Sequence, residues 1–183
     1  SDGETDSAAV SGGKVFVTSG GTAKNTTLFE NAGLIISGGT ASGTTAAYGS
    51  VNVYSGGMAV NTELNSAGKL YIHSGGTVYD TAVTSGGSID ISSDGRHRGT
   101  LQMAQGANVN AAKGGIVDFT VAGRETGDGY LINNLSLIKG TVTYTITVNG
   151  DQGDGTYKLA QGATGFTGTL TIGTESVNYG SIT

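Results

Sequence analysis

Aliphatic residues recur in pairs with one residue between them: Val15 and Val17, Val51 and Val53, Leu70 and Ile72, Ile89 and Ile91, Val109 and Ala111. Placement at period two predicts strands with one apolar face. Turn-forming residues precede each pair at a fixed beat: Gly13, Asn31, Gly49, Gly68, Gly87 and Gly106. After the pairs come Ser19, Ser37, Ser55, Ser74 and Ser93, and seven residues beyond each serine stands a threonine, at Thr26, Thr44, Thr62, Thr81 and Thr100. The threonines are 18, 18, 19 and 19 residues apart. A repeat this short predicts a β-solenoid of 18–19-residue coils, each of which buries its apolar side only by stacking on its neighbours. Carried through the second coil, the same phase points Gly33 and Ile35 inward and Leu34 and Ile36 outward, which predicts a local weak point.

A second strand per coil carries a small interior residue, Ala23, Ala41, Ala59 or Val78. Asn25, Gly43, Asn61, Asp80 and Gly99 follow, each directly before the repeating threonine, and residues of this kind suit a corner with positive φ. Thr26, Thr44, Thr62, Thr81 and Thr100 are then expected to form a structural ladder whose hydroxyls bond turn backbone. The later coils are longer by one residue, always between the threonine and the next glycine, so one corner changes length. With coils about 4.8 Å apart, five or six of them make a rod about 25 to 30 Å long.

From about Phe119 the beat stops. Val142, Tyr144, Ile146 and Val148 alternate with threonines, N-G-D-Q-G-D-G intervenes, and an extended pattern resumes from Thr156 to Ala160, which reads as a hairpin. Further strands are expected around Tyr130 to Ile138, Thr169 to Ile172 and Ser176 to Ile182. The chain therefore divides into a solenoid over residues 1–118 and an antiparallel β module over 119–183 that caps its open end. The opening S-D-G-E-T-D-S and the closing Y-G-S-I-T both read as cut edges of a longer chain.

Composition narrows the function classes. Glycine is abundant at 34 of 183 residues, but the aliphatic residues are placed rather than scattered, which argues against a disordered linker. Without cysteine there is no disulfide scaffold, and no apolar run approaches the roughly 20 residues that span a bilayer. A net charge of −5 with 13% charged residues gives no nucleic-acid footprint, and Arg96-His97-Arg98 reads as a solvated corner. G-D-G at 127–129 and D-Q-G-D-G at 151–155 lack the carboxylate ladder of a calcium loop and read as turns, so no metal or cofactor is expected.

Two outward columns hold the candidate chemistry: Phe16, Leu34, Asn52, Tyr71, Asp90, Asn110, and Thr18, Ile36, Tyr54, His73, Ser92. Asp90 alone is no acid/base couple, and His73 beside Ser92 has no evident orienting carboxylate or oxyanion donor, so the chain reads as non-enzymatic. Phe16, Leu34, Ile36, Tyr54, Tyr71 and His73 form a candidate binding stripe for another copy or a glycan, unless the capping module covers it. A threonine-rich solenoid also invites ice binding, but one threonine per coil beside a turn residue does not make a flat outward array.

Written as strand, S-G-G, T/M-A/V, two variable residues and N/D/G-T, the grammar from Ser19 to Gly106 resembles the AIDA-type repeat of bacterial autotransporter adhesins and related large surface proteins. The resemblance covers residues 11–115, with a degenerate last copy from Ser93. It implies an all-β right-handed parallel β-helix, displayed outside the cell or on its surface, that adheres to a host-surface protein or glycan, binds another copy of itself, or serves as a stalk. It also implies that serines or threonines carry glycans in some members. The alternative from the residues themselves is a carbohydrate-binding or carbohydrate-cleaving β-helix.

Overall fold

In the computed structural model, which describes residues 3–150, 152–164 and 170–172, the aliphatic pairs become one parallel sheet of seven short strands. In chain order these are Gly13–Val17, Ala32–Ile36, Ser50–Val53, Lys69–Ile72, Ser88–Ile91, Asn108–Ala111 and Ile138–Gly140. Their register stacks Val15, Leu34, Val51, Leu70, Ile89, Val109 and Ile138 in one interior column. A second parallel sheet runs from Glu4–Asp6 through Thr22–Lys24, Thr40–Ala47, Met58–Asn65, Thr77–Val83, Arg96–Met103, Ile116–Thr120 and Thr143–Thr147 to Leu170–Ile172. The chain visits each of the two sheets once per coil, as a right-handed parallel β-helix.

Each long strand bends at one residue, dividing it into two legs. That residue is Asn25, Gly43, Asn61, Asp80 or Gly99 in successive coils, with φ of 50°, 65°, 53°, 53° and 70°. Glycine stands at two of these corners for a steric reason: a Cβ on Gly43 would lie 2.8 Å from Asn25 Oδ1, and one on Gly99 2.5 Å from Asp80 Oδ1. The side chain of one coil lies over the bare corner of the next.

The second coil departs from the expected phase. Leu34 and Ile36 are fully buried, while Gly33 and Ile35 take the outward positions, so this coil is no weak point. Turning Leu34 and Ile36 inward instead of Gly33 and Ile35 buries one additional leucine side chain, which favours it by about 2 kcal/mol. The displacement is absorbed locally, because three residues separate Ile36 from Thr40 whereas four separate Val53 from Met58.

The threonine ladder is real but inward. Thr26, Thr44, Thr62 and Thr81 are all buried, yet the hydroxyls of the first three have no hydrogen-bond partner, in place of the expected turn bonds. Only Thr81 has one, His97 Nε2 at 3.1 Å. Thr100 leaves the ladder: the register shifts so that Leu101 pairs with Thr81, and Thr100 bonds Asp80 Oδ1 from its N–H and its hydroxyl at 2.7 and 2.8 Å. The threonine repeat therefore reflects shape, a small β-branched side chain beside a corner, more than polarity.

The antiparallel module is not formed among the described residues. Thr143–Thr147 pairs parallel with Ile116–Thr120, Leu170–Ile172 pairs parallel with Thr143–Thr147, and Ile138–Gly140 extends the short-strand sheet. Single parallel bridges from Leu101 to Ile132 and on to Ala160 continue the threonine column. Residues 130–138 contain that bridge and a 3-10 turn, Leu135–Leu137, rather than a long strand. An existing strand edge is a ready template, and buried Val117 and Tyr144 continue the interior column set by Val78 and His97. The expected strand at Ser176 to Ile182 lies outside the described residues.

Candidate functional site

Three outer features are built by this frame. The first is the exterior of the short-strand sheet. Register places Phe16, Ile35, Asn52, Tyr71, Asp90, Asn110 and Lys139 in one column, with Tyr54 and His73 beside it. Phe16 is 66% exposed and Tyr54 39%, while Ile35, Tyr71 and His73 are half-buried. Leu34 and Ile36, expected in this stripe, are core residues, and Ile35 takes their place. Aligning the second coil on its aliphatic residues instead of its serine would have found it.

The rings of Tyr54 and His73 stack at 4.1 Å between centroids and 4° between planes, with Tyr71 next at 6.3 Å and 24°. His73 Nε2 lies 3.3 Å from Asn52 Oδ1, so the imidazole faces Asn52 and the tyrosines rather than Ser92. Stacking of neighbouring coils turns ring faces toward one another and leaves edges for solvent. Asn110 Nδ2 donates to Asp90 Oδ1 at 3.3 Å.

The second feature is the exterior of the long-strand sheet. Arg96-His97-Arg98 opens a strand instead of forming a solvated corner, with His97 pointing inward and the arginines outward. Arg98 Nη1 donates to Tyr79 Oη at 3.0 Å, and its guanidinium carbon lies 5.8 Å from the Tyr79 ring centroid. Arg96 lies 3.8 Å from the carboxylate of buried Asp118. That carboxylate also accepts from the hydroxyls of Thr120 and Thr147 at 2.9 Å and from Thr145. Asp118, absent from the sequence reading, ties three successive coils together.

The third feature is a lobe of two loops, described over residues 121–131 and over 148–150 and 152–159, inserted in successive coils where shorter coils have their bend. The G-D-G segment and residues 152–155 of D-Q-G-D-G lie on these loops. Gln152 ties them: its Oε1 accepts from Gly123 N at 3.0 Å and its Nε2 donates to the Arg124 carbonyl at 2.7 Å. Between them opens a cleft of about 490 Å³ lined by Arg124, Glu125, Thr126, Asn149, Gln152 and Tyr157 among others. Among the described residues no group of three or more His, Cys, Asp or Glu is placed to hold a metal ion.

No sequence-family profile matches the chain, and no curated protein matches it by sequence. Among solved structures, the chain is similar to the TibC-catalysed hyper-glycosylated fragment of TibA spanning its residues 55–350. Identity is 25% with a TM-score of 0.58, over 80% of this chain and 63% of that fragment. The chain thus spans less than two thirds of the fragment it matches. The likeness supports the β-solenoid fold of the chain.

Proposed function

We propose that the chain is a non-enzymatic segment of a bacterial surface adhesin, a stalk that also associates with other copies of itself through the exterior of its short-strand sheet. The observation that carries this reading is the ridge of Phe16, Ile35, Tyr54, Tyr71 and His73, an apolar and aromatic strip on a sheet face. A solenoid presents such a strip along its length, so two copies related by a two-fold axis oppose like strips. Ring edges suit interdigitation with a second stack better than they suit a sugar, which is held on ring faces. Sedimentation velocity across a concentration series tests it. Association of the native chain should weaken at least tenfold in Phe16→Ser/Tyr54→Ser with unchanged circular dichroism; a native chain that stays monomeric up to about 100 μM, a weak regime for specific pairs, overturns the self-association.

A second reading concerns modification. Ser19, Ser37, Ser55, Ser74 and Ser93 are exposed along the corner that follows the first five short strands. With the hyper-glycosylated TibA fragment as a structural neighbour, this serine edge supports O-glycosylation of the displayed rod. Co-expression with TibC should add mass in whole sugar units, and replacing all five serines by alanine should remove most of the gain. No added mass ends this reading.

A further inference from the structure

We propose that the cleft between the two corner loops is a binding site for a short neutral oligosaccharide. It belongs to a different face from the aromatic ridge and does not depend on self-association. Insertions in a solenoid collect at one corner, and loops held on a rigid frame are where such folds place binding groups. Here the two insertions follow one another in the stack and form a joint lobe.

The walls are preformed. Val121 N donates to the Thr147 carbonyl at 2.8 Å where both loops begin, and Ile132 N donates to the Leu159 carbonyl at 3.0 Å where both end. Between these points Gln152 bridges to Gly123 and Arg124, and the chains touch so closely that a Cβ on Gly155 would lie 2.2 Å from Thr126 Cγ2. Preformed walls reduce the ordering cost of binding. The volume of about 490 Å³ lies within the range of small-molecule sites and far above what a single ion needs.

The lining selects the ligand class. It holds no aliphatic side chain larger than threonine, so an apolar ligand has little to bury against. Arg124 is already occupied by the Gly129 carbonyl and lies 3.8 Å from Asp128, and the Tyr157 hydroxyl is taken by the Gly153 carbonyl. The carboxylates of Glu125 and Asp154, the Asn149 amide and the Thr126 hydroxyl make no hydrogen bond among the described residues. Free carboxylates and an amide suit the hydroxyls of a sugar, the more so beside the Tyr157 ring, and they repel an acidic one. Among the described residues only two unpaired carboxylates line the cleft, too few for a dedicated calcium cage.

The test uses the whole chain with maltotriose, cellotriose, chitotriose, 3′-sialyllactose and calcium chloride as probes, read by saturation-transfer NMR and titration calorimetry. At least one neutral trisaccharide should bind with Kd about 1 mM, and Glu125→Ala and Asn149→Ala should each weaken it at least fivefold. Both side chains are exposed and unbonded, so the fold should survive both changes, as circular dichroism would verify. Phe16→Ser should leave saccharide binding unchanged, which separates this site from the ridge. The proposal is overturned if no neutral sugar binds at about 10 mM, if only sialyllactose or calcium binds, or if the cleft variants bind as the native chain does.

Discussion

Lowering the pH from 6.5 to 4 should destabilise this fold by about 3 kcal/mol through His97 alone. Its imidazole is fully buried in the interior column between Val78 and Val117, where burial pushes its pKa down from 6.5 to about 4, the Asp80 charge opposing only in part. Above pH 6.5 the residue is neutral whether folded or unfolded and contributes no pH dependence. Below it the unfolded chain takes up a proton that the folded chain refuses until about pH 4, so stability falls across that window and levels off beneath it. His97→Val should remove this slope while changing stability at pH 7 by no more than about 1 kcal/mol, since the lost bond to Thr81 is offset by a better-matched column. Urea unfolding of both proteins at pH 7, 5 and 4 measures it. Parallel pH profiles for the two would show that His97 is not the group responsible.

Gly68→Ala should cost about 3 kcal/mol or more, by forcing adjacent coils apart. A Cβ there would sit 2.1 Å from the Ala46 carbonyl oxygen, a backbone atom of the preceding coil that cannot move without disturbing its own strand. Gly68 has no positive φ to blame, so the loss is purely one of space. Gly127→Ala, on a loop with nothing within 4 Å of the added methyl, should stay within about 0.5 kcal/mol. In thermal unfolding this contrast becomes a fall of about 10 °C against almost none. A Gly68→Ala protein that melts within about 2 °C of the native chain would refute the close approach of the coils.

The coil itself was readable because a stacked architecture imposes one rule on every repeat. The small interior residues Ala23, Ala41, Ala59 and Val78 and the left-handed corner from Asn25 to Gly99 stand where that rule puts them. Reading failed where two rules competed. At Leu34 the serine spacing and the aliphatic pattern disagree by one residue, and burial outweighs corner length. At Thr100 a conserved spelling conceals a register shift that hands the interior place to Leu101. Beyond Phe119 the alternation of Tyr144 and Ile146 is correct for a strand, but alternation alone is silent on strand direction. Parallel pairing wins because the preceding coil supplies the edge. The stripe was legible only through Phe16, Tyr54, Tyr71 and His73. The cleft was hidden, since residues 123–126 meet Asn149, Gln152 and Tyr157 only when two insertions fall at the same corner of successive coils.

The strands lie across the rod, and the hydrogen bonds that join coils run along it. A pull on the two ends therefore loads those bonds a few at a time, peeling the terminal coil before the next one feels the force. Each coil released adds about 60 Å of slack. A rod built this way yields in steps and lengthens several-fold before its last coil gives way.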